Sequence, residues 1–296
     1  MAWRVISIEN PAVLSFRNNN LIIKQDEEVF FPLEDIDTLV LDSYGITISQ
    51  NLISELSKNN VNTIICDEKH HPSAMLISYS QASRGTKNAK AQIELPESTR
   101  KQLWRKNIIQ KITNQAKVLE KFGYQNSDLL ELAKTVRSGD VSNNESIAAR
   151  LYFERLLDDS TRRKPVWHNS ALNYAYAILR SSIAKSIAAR GLIANIGINH
   201  RSELNQYNLA DDIIECFRPV ADLFILQKVA IQHIDEESDE NLNREDRHAI
   251  LDVLNQNVII IDKKYKVKNA IDKVVESFLK AILEDSISEF ILPEII

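Results

Sequence analysis

Glu145 opens an apolar stretch, Ser146-Ile147-Ala148-Ala149-Arg150-Leu151-Tyr152-Phe153, that reads as a helix. With Ser142 three residues earlier it fits the S-x-x-E pattern in which serine and glutamate cap a helix start. Its carboxylate is also a hard oxygen ligand for a divalent cation. His200 ends the stretch Gly191-Leu192-Ile193-Ala194-Asn195-Ile196-Gly197-Ile198-Asn199-His200. Gly191 is placed to close the preceding helix in a left-handed cap. The imidazole then falls on a loop, where site residues collect; a lone histidine is otherwise a packing or surface residue. The third segment is Asn208-Leu209-Ala210-Asp211-Asp212-Ile213-Ile214-Glu215-Cys216-Phe217-Arg218-Pro219. Asn208 is a candidate N-cap, and Asp211 and Asp212 then lie in the first turn, where the helix dipole favours negative charge. Glu215 follows them by four and three residues and shares their face. Acids stacked in this way repel unless a base, a proton or a cation stands between them. Pro219 clashes with the carbonyl of Glu215 in a regular helix, so a kink or restart is expected there.

Glu145, His200 and Glu215 together make a donor set for magnesium or manganese, the imidazole shifting preference toward manganese. Three protein donors leave open positions for a phosphate oxygen and an attacking oxygen. The chemistry such a set can do is polarisation of a phosphodiester and activation of a hydroxyl or water. Asp212 is placed to hold a water or to orient a ligand from behind.

Net charge is −5 overall but about −3 over residues 1–90, +7 over 91–200 and −9 over 201–296. The basic middle suits a polyanion. Arg162, Arg163 and Lys164 lie between two expected helices, Arg180, Lys185 and Arg190 follow on the next, and Arg100, Lys101, Arg105 and Lys106 mark the opening of the helical region. These residues either neutralise DNA phosphates without reading bases or form solvated helix faces. Trp167, Tyr174 and Tyr176 could stack on bases, although helical spacing puts at least two of them in the core. His70 and His71, adjacent on an expected strand, would point to opposite faces and are read as structural.

The elements that must position these residues fall into two regions. Short β-branched and aromatic runs at 5–8, 12–16, 20–24, 29–31, 38–41 and 62–66 read as strands, with a turn at Arg17-Asn18-Asn19 and one helix capped by Ser49. Residues 81–92 are polar and aperiodic and read as a linker. After Pro96 the period is helical: 103–116, then near 126–137, 143–158, 169–190 and 208–231, a hairpin around 262–264, and a last helix over 269–288. The expected fold class is α+β: a β-sandwich-like N-terminal domain (1–80) with one helix, a linker (81–95) and an all-α C-terminal catalytic domain (96–296). Cys66 and Cys216 have neither zinc spacing nor a disulfide pattern. With no signal-peptide core at the start and no apolar run of membrane length, the expected location is the cytoplasm, away from any membrane.

In order and spacing, several segments resemble the family of CRISPR-associated integrases that insert new spacers, and within it the branch of the type II systems. The matching segments are Ile64-Ile65-Cys66-Asp67 with His70-His71-Pro72, Glu145 through Phe153, Ala171 through Arg180, Gly191 through His200, and Asn208 through Glu215 with Phe217-Arg218-Pro219. The resemblance implies an N-terminal β-sandwich and a helical C-terminal domain. It also implies a homodimer that assembles with a small partner subunit on double-stranded DNA, and a metal site at Glu145, His200 and Glu215. The reaction it implies is direct attack of a DNA 3′ hydroxyl on a phosphodiester at a CRISPR repeat, without a covalent protein intermediate. Many relatives carry aspartate where Glu215 stands, which leaves open whether Asp212 is a direct ligand. Two other readings use the same residues: a stand-alone metal-dependent nuclease on branched DNA or RNA, with water as nucleophile, and a non-catalytic DNA-binding scaffold whose acids cap helices.

Overall fold

The structure, a computed structural model, describes residues 2–78, 82, 84–157, 166–229 and 241–296. The chain divides into two compact units, residues 1–81 and 82–296.

The first unit contains β1 (Arg4–Ile8), β2 (Ala12–Arg17), β3 (Asn20–Lys24), β4 (Glu28–Pro32), β5 (Ile36–Leu41), β6 (Ile46–Ile48), α1 (Gln50–Lys58), β7 (Asn62–Cys66) and β8 (Pro72–Leu76). Two four-stranded sheets form, in the orders β1-β5-β7-β8 and β4-β3-β2-β6. Alternation sends Leu14, Leu21 and Ile23 of one sheet and Leu39 and Leu41 of the other into a single core that Leu52 and Leu56 of α1 complete. Asn18 and Asn19 take left-handed backbone angles in the β2–β3 turn, a conformation that asparagine tolerates well. Ser49 caps α1 by accepting from the amide of Leu52, as its position predicts. His70 and His71 lie in the turn before β8 rather than on a strand. His70 has a φ of 62° and pairs through Nδ1 with buried Asp42 at 2.7 Å, a structural role.

The second unit contains α2 (Gly85–Ile93), α3 (Glu97–Lys121), α4 (Ser127–Thr135), α5 (Asn144–Leu156), α6 (Trp167–Ala189), α7 (Asn208–Ile214), α8 (Arg218–Phe224), α9 (Arg244–Ile250), β9 (Asn257–Ile260), β10 (Lys263–Lys266), α10 (Val267–Glu284) and β11 (Glu294–Ile295). It is not purely helical, because β11 joins the expected β9–β10 hairpin as a third strand. The hairpin turns at Ile261 and Asp262, both left-handed, slightly ahead of the expected place. Cys66 and Cys216 are both buried free thiols. Among the described residues no helix is long and apolar enough to cross a membrane.

The segment expected as a linker (81–95) carries α2, whose polar side chains do the packing. Asn88 donates to the Arg190 carbonyl at 2.7 Å. Gln92 donates to the carbonyls of Ile193 and Ile196 and accepts from the Ile193 amide at 2.8 Å. These amides satisfy the chain leaving α6. A sequence without apolar periodicity reads as a loop because polar residues normally face water; here they are buried by backbone partners instead. Gly191 closes α6 with a φ of 65°, as its position predicts, and a Cβ there would stand 2.4 Å from the Gly85 Cα. Gly191→Ala therefore meets both a left-handed backbone and a backbone clash. The expected cost is about 2–4 kcal/mol of stability, read as a lowered midpoint in chemical denaturation. An unchanged midpoint would show that α2 does not hold the exit of α6.

Candidate active site

Helix α3 is the ruler of the site. Trp104, Asn107, Lys111 and Asn114 recur along one of its faces at helical spacing and are all buried. The ring of Trp104 meets that of His200 edge-on, with centroids 5.8 Å apart. Asn107 donates to the carbonyl of Asp212 at 2.6 Å, and Asn114 donates to that of Cys216 at 3.1 Å. The Cys216 carbonyl lies where helical bonding fails between α7 and α8, and that of Asp212 accepts a long bond from the Glu215 amide at 3.4 Å, so α3 supplements the donors at the break. The break falls between Ile214 and Arg218, beside Pro219, as the proline requires.

Lys111 is the centre of this face. Its ammonium lies 2.7 Å from Glu145 Oε1 and 2.5 Å from Glu215 Oε2. Glu145 is presented by the first turn of α5, but not through the serine–glutamate cap. Asp140 takes that role, its two carboxylate oxygens accepting from the amides of Asn144 (2.9 Å) and Glu145 (3.0 Å). The glutamate side chain is thereby released to face Lys111. Glu215 is buried, and its second oxygen accepts from Arg218 Nε at 2.9 Å. Burial pushes the Glu215 carboxyl upward, but the charges of Lys111 and Arg218 outweigh it and hold the group down to about 2. Lys111 shows the mirror effect: desolvation lowers its pKa, and Glu215 and Glu145 together more than reverse that.

Asp212 answers a different need. Fully buried, it accepts from the amides of Ile198 (2.5 Å), Asn199 (3.0 Å) and His200 (3.1 Å) and meets His200 Nδ1 at 2.7 Å. Four donors occupy its lone pairs and hold the loop and the ring in place. A carboxylate at Nδ1 makes that nitrogen the proton donor and leaves Nε2 as the ring's outward atom. The Asp212 hydrogen bond also raises the His200 pKa, against partial burial. Gly197 permits the turn, since a Cβ there would lie 2.5 Å from both Asp212 Oδ2 and the His200 carbonyl. Gly197→Ala should therefore unseat the imidazole. The expected result is a changed His200 titration by NMR and a loss of stability of about 1–3 kcal/mol; an unmoved His200 signal would mean the loop absorbs the methyl.

A polar layer lies behind the carboxylates. The Arg218 guanidinium stands 4.6 Å over the ring of Tyr176. Buried Asp222 accepts the hydroxyls of Tyr152 (2.9 Å) and Tyr176, tying α8 to α5 and α6. On the other side, beside His200, a concavity of about 400 Å³ is lined by Arg100, Gly197, Arg201, Asn205 and Asn208.

The three acids that share one helical face thus turn to separate partners: Asp211 to Arg180 at 2.7 Å, Asp212 to the His200 loop, and Glu215 to Lys111 and Arg218. Asn208 is not a cap; its amide donates to the carbonyls of Asn195 and Ser202. Several expected phosphate-binding residues are committed to the fold. Arg100 donates to the carbonyls of Leu95, Gly197 and Gln92, Arg105 to that of Val136, and Lys106 to those of Ile287 and Ser288. Arg180 is paired yet remains partly exposed, with its guanidinium 5.0 Å over the Tyr207 ring. Lys185 lies on α6, half-buried, and Arg162, Arg163 and Lys164 lie outside the described residues. Trp167, Tyr174 and Tyr176 are all buried, so the core reading applies to each.

Glu145 and Glu215 are brought to one ammonium, and His200 stands close enough to Glu215 for each charge to shift the other's titration. Among the described residues no three His, Cys, Asp or Glu side chains stand close enough to hold a cation without rearrangement. The donors nonetheless suit one: two carboxylates already converge on a positive charge, and an imidazole is held with one nitrogen outward. Lys111, Arg218 and Asp140 were missed from sequence. Their signals were an i, i+4, i+7 polar stripe among the apolar positions of a long helix, an arginine three residues after an acid, and an acid beside a glycine before a helix start.

The model of the family described as CRISPR associated protein Cas1 matches residues 5–256. Over 300 aligned residues the chain is 35% identical to the CRISPR-associated endonuclease Cas1 of Neisseria meningitidis serogroup C, covering 100% of this chain and 97% of that protein. The chain belongs to the Cas1 family. A second Cas1 endonuclease, from Francisella tularensis subsp. novicida, is 26% identical over 72% of this chain and 74% of its own. Among solved structures, the Cas1 protein from Thermotoga maritima superposes with a TM-score of 0.75 at 16% identity, covering 95% of this chain and 97% of that one. A casposase bound to its integration product superposes with a TM-score of 0.78 at 18% identity, covering 97% and 92%. The β-sheet unit followed by a mostly helical unit is therefore the Cas1 fold.

Proposed function

We propose that this chain is a metal-dependent DNA integrase and endonuclease that inserts short DNA fragments into a CRISPR array. The observation that carries the reading is the convergence of Glu145 and Glu215 on one buried positive charge next to a histidine oriented by Asp212. Full-length similarity to a protein named as a CRISPR-associated endonuclease supports the nuclease half, and the shared fold with a casposase described as bound to its integration product is compatible with the joining half.

Glu145, Glu215 and His200, through Nε2, would hold magnesium or manganese. When bound, such an ion supplies Lewis-acid stabilisation of the pentavalent phosphorus and lowers the pKa of the attacking hydroxyl. The chain's residues do the rest. Asp212 fixes the ring and the loop that carries it. Arg218 keeps Glu215 ionised in a buried place, and Asp140 turns Glu145 toward the site. In the reaction, a DNA 3′ hydroxyl gives up its proton and its oxygen bonds to a target phosphorus as that phosphorus loses its own bridging 3′ oxygen, which takes up a proton and leaves as a hydroxyl. Bond count is conserved, so no external energy source is needed. Arg162, Arg163, Lys164, Arg180 and Lys185 are proposed to contact phosphates, and the working unit is proposed to be a homodimer with a small partner subunit. That partner class agrees with solved assemblies described as a Cas6-RT-Cas1–Cas2 complex.

The test mixes a labelled duplex bearing 3′ hydroxyls with a supercoiled plasmid carrying a CRISPR repeat, the small partner subunit, and magnesium, manganese or chelator. Label joined to plasmid only with metal is expected. Cut plasmid without joined label would replace integration with hydrolysis, and bound but unaltered DNA would reduce the protein to a scaffold.

A further inference from the structure

We propose that Lys111 is a resident cation of this site, holding Glu145 and Glu215 together until a divalent ion displaces it, so that metal and DNA enter as a linked pair. The proposal rests on the reading that these carboxylates bind a metal.

Three observations lead to it. First, the Lys111 ammonium already bridges the two carboxylates at 2.7 and 2.5 Å, the place where a shared ion would sit. A cation added there meets an occupied position, which agrees with the absence, among the described residues, of a ready-made trio of ligands. Second, the carboxylates are already compensated. Glu145 and Glu215 face Lys111 and Arg218, with Asp222 also acting on Arg218 and His200 on Glu215. Adding a divalent ion while both bases stay would leave excess positive charge in a mostly buried cluster, an expensive outcome. Third, the two carboxylates are unequal. Glu215 is buried and keeps Arg218 at 2.9 Å if Lys111 leaves. Glu145 is partly exposed, its side chain 26% accessible against 9% for Lys111, and marks the open side. The way out for the ammonium is past the more exposed Glu145, where a DNA phosphate arriving with the metal would pair with it. A phosphodiester brings back part of the negative charge that the metal overcompensates. A purely structural lysine would instead be retained, with the metal bound elsewhere or not at all.

The test is calorimetric titration of manganese chloride into wild type and Lys111→Met, with and without a short DNA duplex, after circular dichroism of both. The expected result is manganese binding to Lys111→Met on the order of tenfold tighter or more without DNA, because a competing charge is gone. DNA is expected to tighten manganese binding in wild type and to do so much less in the variant. Equal or weaker binding by a folded Lys111→Met overturns the proposal while leaving the metal reading intact. No saturable manganese binding by either protein, with or without DNA, overturns both. Should Lys111→Met fail to fold, wild type alone decides. The side-chain NMR signal of the Lys111 ammonium, protected from exchange in the metal-free protein, is expected to move and lose protection when magnesium and duplex are added. A signal that stays unmoved at saturating magnesium overturns the proposal.

Discussion

Glu145→Gln should lower strand transfer on the order of 10³-fold while leaving the fold and DNA affinity near wild type. The substitution keeps shape and removes one charged oxygen ligand, and several kcal/mol of transition-state stabilisation depend on an ion being held there. Stability is spared because Glu145 is partly exposed and Lys111 retains Glu215 at 2.5 Å. Glu215→Gln should lose as much activity but also stability. It leaves Lys111 and Arg218 facing a neutral amide in a buried place, and breaking such a pair from one side costs about 3–5 kcal/mol. Kinetics and chemical denaturation on the same preparations separate the two effects. If Glu145→Gln destabilised the protein as strongly as Glu215→Gln, the carboxylates would be structural partners of equal standing. If both variants kept full activity, the site would lie elsewhere.

The second large effect is expected at Asp212. Asparagine offers one acceptor oxygen where the carboxylate receives three amides and the His200 ring. Its amide nitrogen would face donors, leaving at least two buried groups unsatisfied at about 1–3 kcal/mol each. The His200 ring would also lose the acceptor that fixes its orientation, and losing such a support typically weakens metal binding roughly 10–100-fold. Manganese titration of Asp212→Asn should therefore show weakened binding, and denaturation should show a lowered midpoint. A variant that bound no manganese while keeping its stability would instead make Asp212 a direct ligand, which its four donors argue against.

Much of the architecture was legible because its signals are local. Asn18-Asn19 marks a left-handed hairpin turn, Ser49 a helix start, Gly191 a helix end, and Pro219 the break that presents Glu215. Glu145 and His200 were legible as chemistry-bearing residues, but their supports were not. The serine–glutamate spacing before α5 competes with Asp140, and the carboxylate that wins is set by the left-handed backbone at Gly139, Asp140 and Asn143. Lys111 carries no local mark, because a charge is buried only when partners from other parts of the chain meet it; here they come from 34 and 104 positions away. Arg100, Arg105 and Lys106 read as phosphate contacts or a solvated face for the same reason. Nothing in a sequence marks which carbonyls a long cationic side chain will reach: besides nearby partners, Arg100 reaches Gly197, Arg105 Val136 and Lys106 Ile287, which lie 97, 31 and 181 positions away. The helix α2 was hidden because its packing is polar.

The most direct test of the central claim is a crystal of the full chain with a short DNA duplex, soaked in manganese and measured at the manganese absorption edge. A single anomalous peak bonded to Glu145, Glu215 and His200 Nε2, with the Lys111 ammonium withdrawn from between the carboxylates, is the predicted result. A saturated protein with its peak elsewhere, and Lys111 still bridging Glu145 and Glu215, would contradict the account.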